Sequence, residues 1–393
     1  MSHKEVVICS AVRTPVGSFQ GTLSSFSASD LGGVVVAEAV KRAGAKPEDV
    51  ERVILGNVLT GGSGQAPARQ AVIKSGLPVS VGAITINKVC GSGLQSVMFA
   101  RREILVGDAE VLVAGGMESM TNAPYALPQA RSGYRMGNGQ IIDTMIYDGL
   151  WDPYDNVHMG TCGDAVAAKY GFTREDQDAF AIESYKRAQA AQKEGRFKEE
   201  IIPVTVKTKK GDTLVDTDEE PTRAQLDKMA SLRPAFSKDG TVTAANASTI
   251  NDGAAALLVT SAEHAKAKGW NVLARIVADS TAAVEPKWFT IAPVHALAKL
   301  YEKTRTKPLD WDLYEINEAF SGVTMAAMKD HAIPHDRVNV HGGAVSIGHP
   351  IGGSGARILV TLLHALRQHG KKTGVATLCI GGGEAVALAV ELV

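Results

Sequence analysis

Apolar residues along the chain fall into two recurring patterns. Short unbroken runs, such as EVVICSAV (5–12), RVILGNV (52–58) and EVLVAGG (110–116), have the length and β-branched content of strands covered on both faces. Residues 29–43 and 92–106 instead carry apolar positions every three or four residues, which predicts amphipathic helices. Strands alternating with helices indicate an α/β fold, a sheet with helices packed over it.

The pattern also repeats. GSGLQSVMFARREI (91–104) is matched by GSGARILVTLLHAL (353–366): glycines, then a helix. AEVLVAGGMES (109–119) is likewise matched by GVATLCIGGGEA (374–385), a strand running into glycines and a glutamate. In the second copy AVALAVEL (385–392) follows at once, whereas its counterpart AAALLVTS begins only at residue 254. Two similar α/β halves account for this, the first interrupted between its last two strands. The boundaries are residues 1–118 with 251–271 for the first half, 119–250 for the insertion and 272–393 for the second half.

The insertion differs in texture. MTNAPYALPQARSGYRMGNGQ (120–140) reads as a long excursion. TREDQDAFAIESYKRAQAAQKEG (173–195) has a Thr cap, early acids and a Gly stop, which predicts a helix. VTVKTKKGDTLVDTDEE (204–220) predicts a hairpin around Lys210-Gly211-Asp212, its lysines on a solvated face.

Composition narrows the function. In 393 residues, 42 acidic and 41 basic side chains nearly cancel, so no broad field draws the chain to nucleic acid or membrane. The N-terminal MSHKEVVICSAVRTP leaves no room for a signal or transit peptide, and no apolar run is long enough to span a bilayer. The four cysteines are widely spaced with no C-x-x-C pair, which argues against zinc and a disulfide framework. A cytoplasmic location is therefore expected.

Three segments carry candidate chemistry. NKVCGSGLQS (87–96) places Cys90 at a helix start, where amides and the helix dipole favour a thiolate. NVHGGAVSIGHPIGGSGARI (339–358) sets His349 among glycines, and TLCIGGGEA (377–385) ends a strand at Cys379. Taken singly, Cys90 could be a small core residue, His349 a turn residue and Cys379 strand core. Together they supply a nucleophile, a base and a second thiol able to move a proton, with glycine amides exposed for an oxyanion. GSGLQS is not a dinucleotide fingerprint, and GGSGA is not a nucleophile elbow.

VCGSG (89–93), NEAF (317–320), GGAVSIGHPIGGSGAR (342–357) and CIGGGEAVA (379–387) resemble the signatures of the thiolase family, at the family's spacing. The resemblance runs from SAVRTPVGSF (10–19) to the end and is to the short-chain biosynthetic type. It implies a five-layered α-β-α-β-α fold with an inserted loop domain. It implies that Cys90 is acylated with His349 activating it, and that Cys379 moves the Cα proton of the second substrate. Asn317 would hold a water that with His349 binds an enolate oxygen, and the amides of Cys90 and Gly381 would form a second oxyanion hole. The reaction implied is a reversible ping-pong Claisen condensation of two acetyl-CoA to acetoacetyl-CoA and CoA, with no metal and no organic cofactor.

In LWDPYDNVHMG (150–160) the resemblance assigns His158 and Met159 to a pair that narrows the acyl pocket. Leu150, Phe236, Ser248 and Ala319 would line the substrate channel. PQARSGYRMG (128–137) resembles the loop through which such chains form a dimer of dimers, so a homotetramer is implied. Ala245 and Thr249 depart from glycines common in the family, which predicts less backbone freedom beside Ser248. Cys162 stands where a thiol is unusual and reads as structural. Around adenine and phosphate the match is poorest, leaving Arg223 or Lys228 as candidates. A degradative thiolase of broader chain length shares every catalytic residue. A condensing enzyme fed by a carrier protein would have no need of Cys379, and a non-catalytic binder no need of the set.

Overall fold

The computed structural model describes residues 4–209 and 211–393, so Lys210 of the expected hairpin tip lies outside the described residues. The first half contributes β1 (Val6–Arg13), β2 (Arg52–Gly56), β3 (Gly82–Ile86), β4 (Val111–Ser119) and β5 (Asn251–Ser261). The second contributes β6 (Ala274–Ala283), β7 (Leu313–Ile316), β8 (Thr373–Ile380) and β9 (Glu384–Leu392). Their order is β7-β8-β9-β6-β1-β5-β4-β2-β3. The halves meet where β1 pairs with β6 only at Val7↔Arg275 and Ile8↔Ala274, and such a short seam lets each half-sheet turn its own face to the shared centre.

The longer helices are α1 (Ala28–Arg42), α2 (Ser92–Val106), α3 (Met159–Tyr170), α4 (Arg174–Lys193), α5 (Ala292–Thr304), α6 (Ser321–His331) and α7 (Ile351–Gln368). Strand alternation sorts the core into layers. Val53 and Leu55 of β2 face outward onto Leu31, Val35 and Val36 of α1. Ile54 faces inward, into a cluster that also holds Leu94 and Val97 of α2, Ile358 and Leu362 of α7, and Leu378 and Leu388 of the second half. On the far side Val375, Ala387 and Ala389 meet Ala296, Leu297 and Leu300 of α5. Helix, sheet, paired helices, sheet and helix make the five layers that the resemblance implies.

The central pair explains the long apolar run of α7. Every residue from Ile351 to Leu363 is buried, as a helix walled in on all sides requires. The two helix starts touch through backbone: a Cβ on Gly93 would lie 2.6 Å from the Ala356 nitrogen, and one on Gly355 would lie 2.3 Å from the Leu94 nitrogen. Only glycine permits that approach.

The segment between β4 and β5 packs against both halves. Thr173 caps α4 and forms a capping box with Asp176, and Gly195 follows the helix end with φ +73°. Val204–Thr208 and Gly211–Val215 pair antiparallel. Arg13, wholly buried on β1, donates to Glu200 at 2.6 Å and to Asp218 at 2.6 and 2.8 Å, fastening the insertion to the sheet. In Gly355→Ala the added methyl must push the two central helices apart. The expected cost is about 2 kcal/mol in denaturant unfolding, with an unchanged fold by circular dichroism.

Candidate active site

The turn before α2 is held by short-range bonds. Ser92 Oγ accepts from the Lys88 amide at 2.8 Å and donates to the Val89 carbonyl at 2.7 Å, while Asn87 Oδ1 accepts from the Val89 amide at 3.0 Å. Val89 takes the left-handed φ of +44°, a strained conformation for a β-branched residue, directly before Cys90. The amides of Gly381 and of Cys90 itself both bear on the Cys90 sulfur. Gly382 and Gly383 have φ of +88° and +91°, which gives β8 its sharp exit just beyond Cys379.

His349 is fixed at two points. Its amide donates to Asn251 Oδ1 at 2.9 Å, and its Nδ1 lies 2.5 Å from Ser354 Oγ. Ser354 Oγ itself donates to the Pro350 carbonyl at 2.9 Å, so it accepts from His349 Nδ1–H and leaves Nε2 as the free lone pair. Asn317 Nδ2 lies 3.5 Å from that Nε2, and Asn317 Oδ1 is buried with no hydrogen-bond partner among the described residues. Thr249 Oγ1 donates to Asn251 Oδ1 at 2.7 Å, so a residue expected only to stiffen the backbone supports the anchor of His349.

Cys90 and His349 line one cavity of about 230 Å³, together with Leu150, His158, Met159, Phe236, Ser248 and Ala319. His158 stacks on Phe236 with ring centroids 4.5 Å apart, and its Nδ1 accepts from the Gly160 amide at 3.1 Å. Cys379, wholly buried, packs with Met159, Phe289, Ala319 and Phe320 behind the cavity. It is near enough to Cys90 for a charge there to raise its own pKa. Gly381 adjoins Met159, whose Cε would be 3.0 Å from a Cβ on that glycine. Cys162 is buried in the same cluster as Cys379. Arg223 is exposed and pairs with Glu219 at 3.2 Å, and neither it nor Lys228 lines the cavity.

The electrostatics correct one expectation. The helix start was expected to favour a Cys90 thiolate; instead burial pushes its pKa up to about 11, outweighing the Gly381 and Cys90 amides, while the nearby Glu118 adds to the rise. Burial likewise raises Cys379, and it lowers His349 to about 3, with help from the Arg357 charge. The resting site is therefore neutral: two thiols and an unprotonated imidazole. Among the described residues no group of three or more His, Cys, Asp or Glu could hold a metal ion.

Ser354, Asn251 and Asn57, which contacts the buried Glu118, escaped the sequence reading. The Ser and Gly residues shared by the two repeated helix starts were the available signal for Ser354.

Comparison with known proteins agrees with this architecture. The sequence matches the family models described as "Thiolase, N-terminal domain" over residues 6–263 and "Thiolase, C-terminal domain" over residues 270–392. It is 54% identical over 389 residues to an acetyl-CoA acetyltransferase of Cupriavidus necator, covering 98% of this chain and 99% of that one. A probable acetyl-CoA acetyltransferase of Escherichia coli is 47% identical, with 99% of each chain covered. The crystal structure of the Bacillus anthracis acetyl-CoA acetyltransferase superposes with a TM-score of 0.97 at 43% identity, over 100% of this chain and 99% of that one. Acat5 thiolase from Ascaris suum in complex with coenzyme A gives 0.95 at 45% identity, over 99% and 100%.

Two measurements probe the site. In Ser354→Ala, His349 Nδ1–H loses its acceptor and the imidazole its fixed tautomer, so kcat should fall by about tenfold or more with little change in KM. In the wild type, alkylation of Cys90 by iodoacetamide, followed by mass spectrometry, should accelerate about tenfold per pH unit from neutrality upward. The thiolate form is scarce until pH nears about 11. A rate that levels off below pH 8 would contradict the buried, neutral thiol.

Proposed function

The chain belongs to the thiolase family, and from that premise we propose a mechanism for its activity as an acetyl-CoA C-acetyltransferase, the reversible condensation of two acetyl-CoA to acetoacetyl-CoA and CoA. His349 Nε2 takes the Cys90 proton as sulfur attacks the thioester carbonyl. The Cys90 and Gly381 amides, which already converge on that sulfur, bind the developing oxyanion. Cys379 gives its proton to the departing CoA sulfur, leaving S-acetyl-Cys90 and a Cys379 thiolate. Burial raises the pKa of Cys379, which makes that thiolate a strong base for the Cα proton of the second acetyl-CoA. The enolate oxygen is held by protonated His349 and by a water on Asn317, a role its unpartnered buried Oδ1 supports. Attack of the enolate on the acetyl-cysteine releases acetoacetyl-CoA, and Cys90 recovers its proton from His349.

The observation that carries this reading is the convergence of Cys90 and His349 on one apolar cavity with Cys379 immediately behind it. Coenzyme A enters as part of the substrate, and the mechanism draws on no metal or organic cofactor. Restriction to short acyl chains is assigned to Met159, which lines the cavity and packs against Gly381, with His158 held against Phe236 in the same lining. The exposed Tyr125, Leu127, Tyr134, Met136 and Ile141 of the excursion support assembly into a homotetramer. Four free buried cysteines support a reducing, cytoplasmic location, and among the described residues no helix is long and apolar enough to cross a membrane.

Brief incubation with acetyl-CoA followed by mass spectrometry tests the division of labour. The wild type should carry one acetyl group on Cys90, and Cys90→Ala none. Cys379→Ala should still be acetylated but lose about three orders of magnitude or more in carbon–carbon bond formation; near wild-type condensation would remove Cys379 from the mechanism. Met159→Ala should open the cavity and raise the relative kcat/KM for longer 3-ketoacyl-CoA substrates by about tenfold. An unchanged chain-length profile in steady-state assays would place the selectivity elsewhere.

A further inference from the structure

Glu118, next to last in β4, is wholly buried and, among the described residues, without a cationic partner. Four donors converge on it instead. Oε1 accepts from Asn57 Nδ2 at 2.6 Å and from the Leu59 amide at 3.2 Å, and Oε2 from the Val58 amide at 3.0 Å and the Gly352 amide at 2.9 Å. With two donors on each oxygen, the cradle suits a carboxylate; an acid or an amide there would point a donor at a donor. Burial pushes the group up to about 7, against the pull of those four bonds.

The position of the fourth donor gives the cradle its meaning. In the repeat Gly353-Ser354-Gly355 matches Gly91-Ser92-Gly93, so the Gly352 amide corresponds to the Cys90 amide. The first-half amide bears on the reacting sulfur, whereas its second-half equivalent is closed by Glu118. Gly352 lies three residues after His349 and next to Ile351, which lines the cavity. One carboxylate thus ties the end of a first-half strand and the Asn57–Leu59 loop to the second-half turn that carries the imidazole.

We propose that Glu118 is a positioning residue for acyl transfer: its carboxylate clamps the Gly352 amide and the Asn57–Leu59 loop, fixing the His349 turn over Cys90. The inference rests on the proton-accepting role of His349 argued above. Glu118→Gln keeps the shape but sets an amide N–H against two of the four donors, so the turn must shift. A displacement of about 1 Å at reacting groups costs up to about a hundredfold in rate.

The test measures Cys90 acetylation in rapid-quench mass spectrometry, per folded enzyme, alongside steady-state kinetics. Glu118→Gln should slow acetylation and kcat by about tenfold or more, with KM for acetyl-CoA within about twofold. Asn57→Ala, which removes one donor and leaves the carboxylate, should show a smaller loss in the same sense and carries the test if Glu118→Gln does not fold. In a His349→Asn background Glu118→Gln should add no further slowing. Unchanged acetylation in either single variant, or the same loss with and without His349, would overturn the proposal. Wild-type acetylation in His349→Asn alone would instead overturn the role of His349 itself.

Discussion

The backbone contact between the starts of α2 and α7, where Gly93 and Gly355 leave no room for a Cβ, draws residues from opposite ends of the chain together. Both helices are sandwiched between the half-sheets, so neither can slide without opening the largest cluster of the core. Their N-terminal turns, carrying Cys90 and His349, start from that contact and are held by the side chains of Asn87 and Ser92 on one side and of Asn251 and Ser354 on the other. Cys379 and Asn317 join from the ends of neighbouring strands, and the Asn317 amide is held to the Thr377 carbonyl at 3.0 Å. The site inherits its rigidity from the core.

Burial controls the chemistry as well as the geometry. Desolvation keeps Cys90 and Cys379 protonated and His349 neutral, so the free enzyme holds little reactive thiolate. Charge forms when a thioester fills the cavity and fixed amides meet the oxyanion, an arrangement that needs little reorganisation in the transition state. Further ionisable groups are buried elsewhere in the core. Arg13 is bonded to Glu200 and Asp218, Arg357 faces Glu315 at 3.5 Å, and Glu118 sits in its cradle of donors.

Much of this was legible in the residues. The doubly buried strands of the first half read as unbroken apolar runs because both faces are covered, and α4 announced itself through Thr173, its early acids and Gly195. The helix patterns at 29–43 and 92–106 fall within a residue of α1 and on α2. The supports of the site were harder to find. Asn251 and Glu118 look like ordinary strand-end polar residues until the fold sets them beside a turn from the other half.

The sequence by itself determined the repeat, the element types and the identities of the reactive groups, because periodicity, glycine placement and side-chain chemistry are local properties. The tertiary structure decided their protonation states, the tautomer of His349 and the asymmetry between the two helix starts. The protonation states and the asymmetry depend on desolvation and on partners far away along the chain, and the tautomer on the turn that folds Ser354 back onto the imidazole. The Cys90 thiol shows the division: the local helix start argues for an anion, and the surrounding core keeps it neutral.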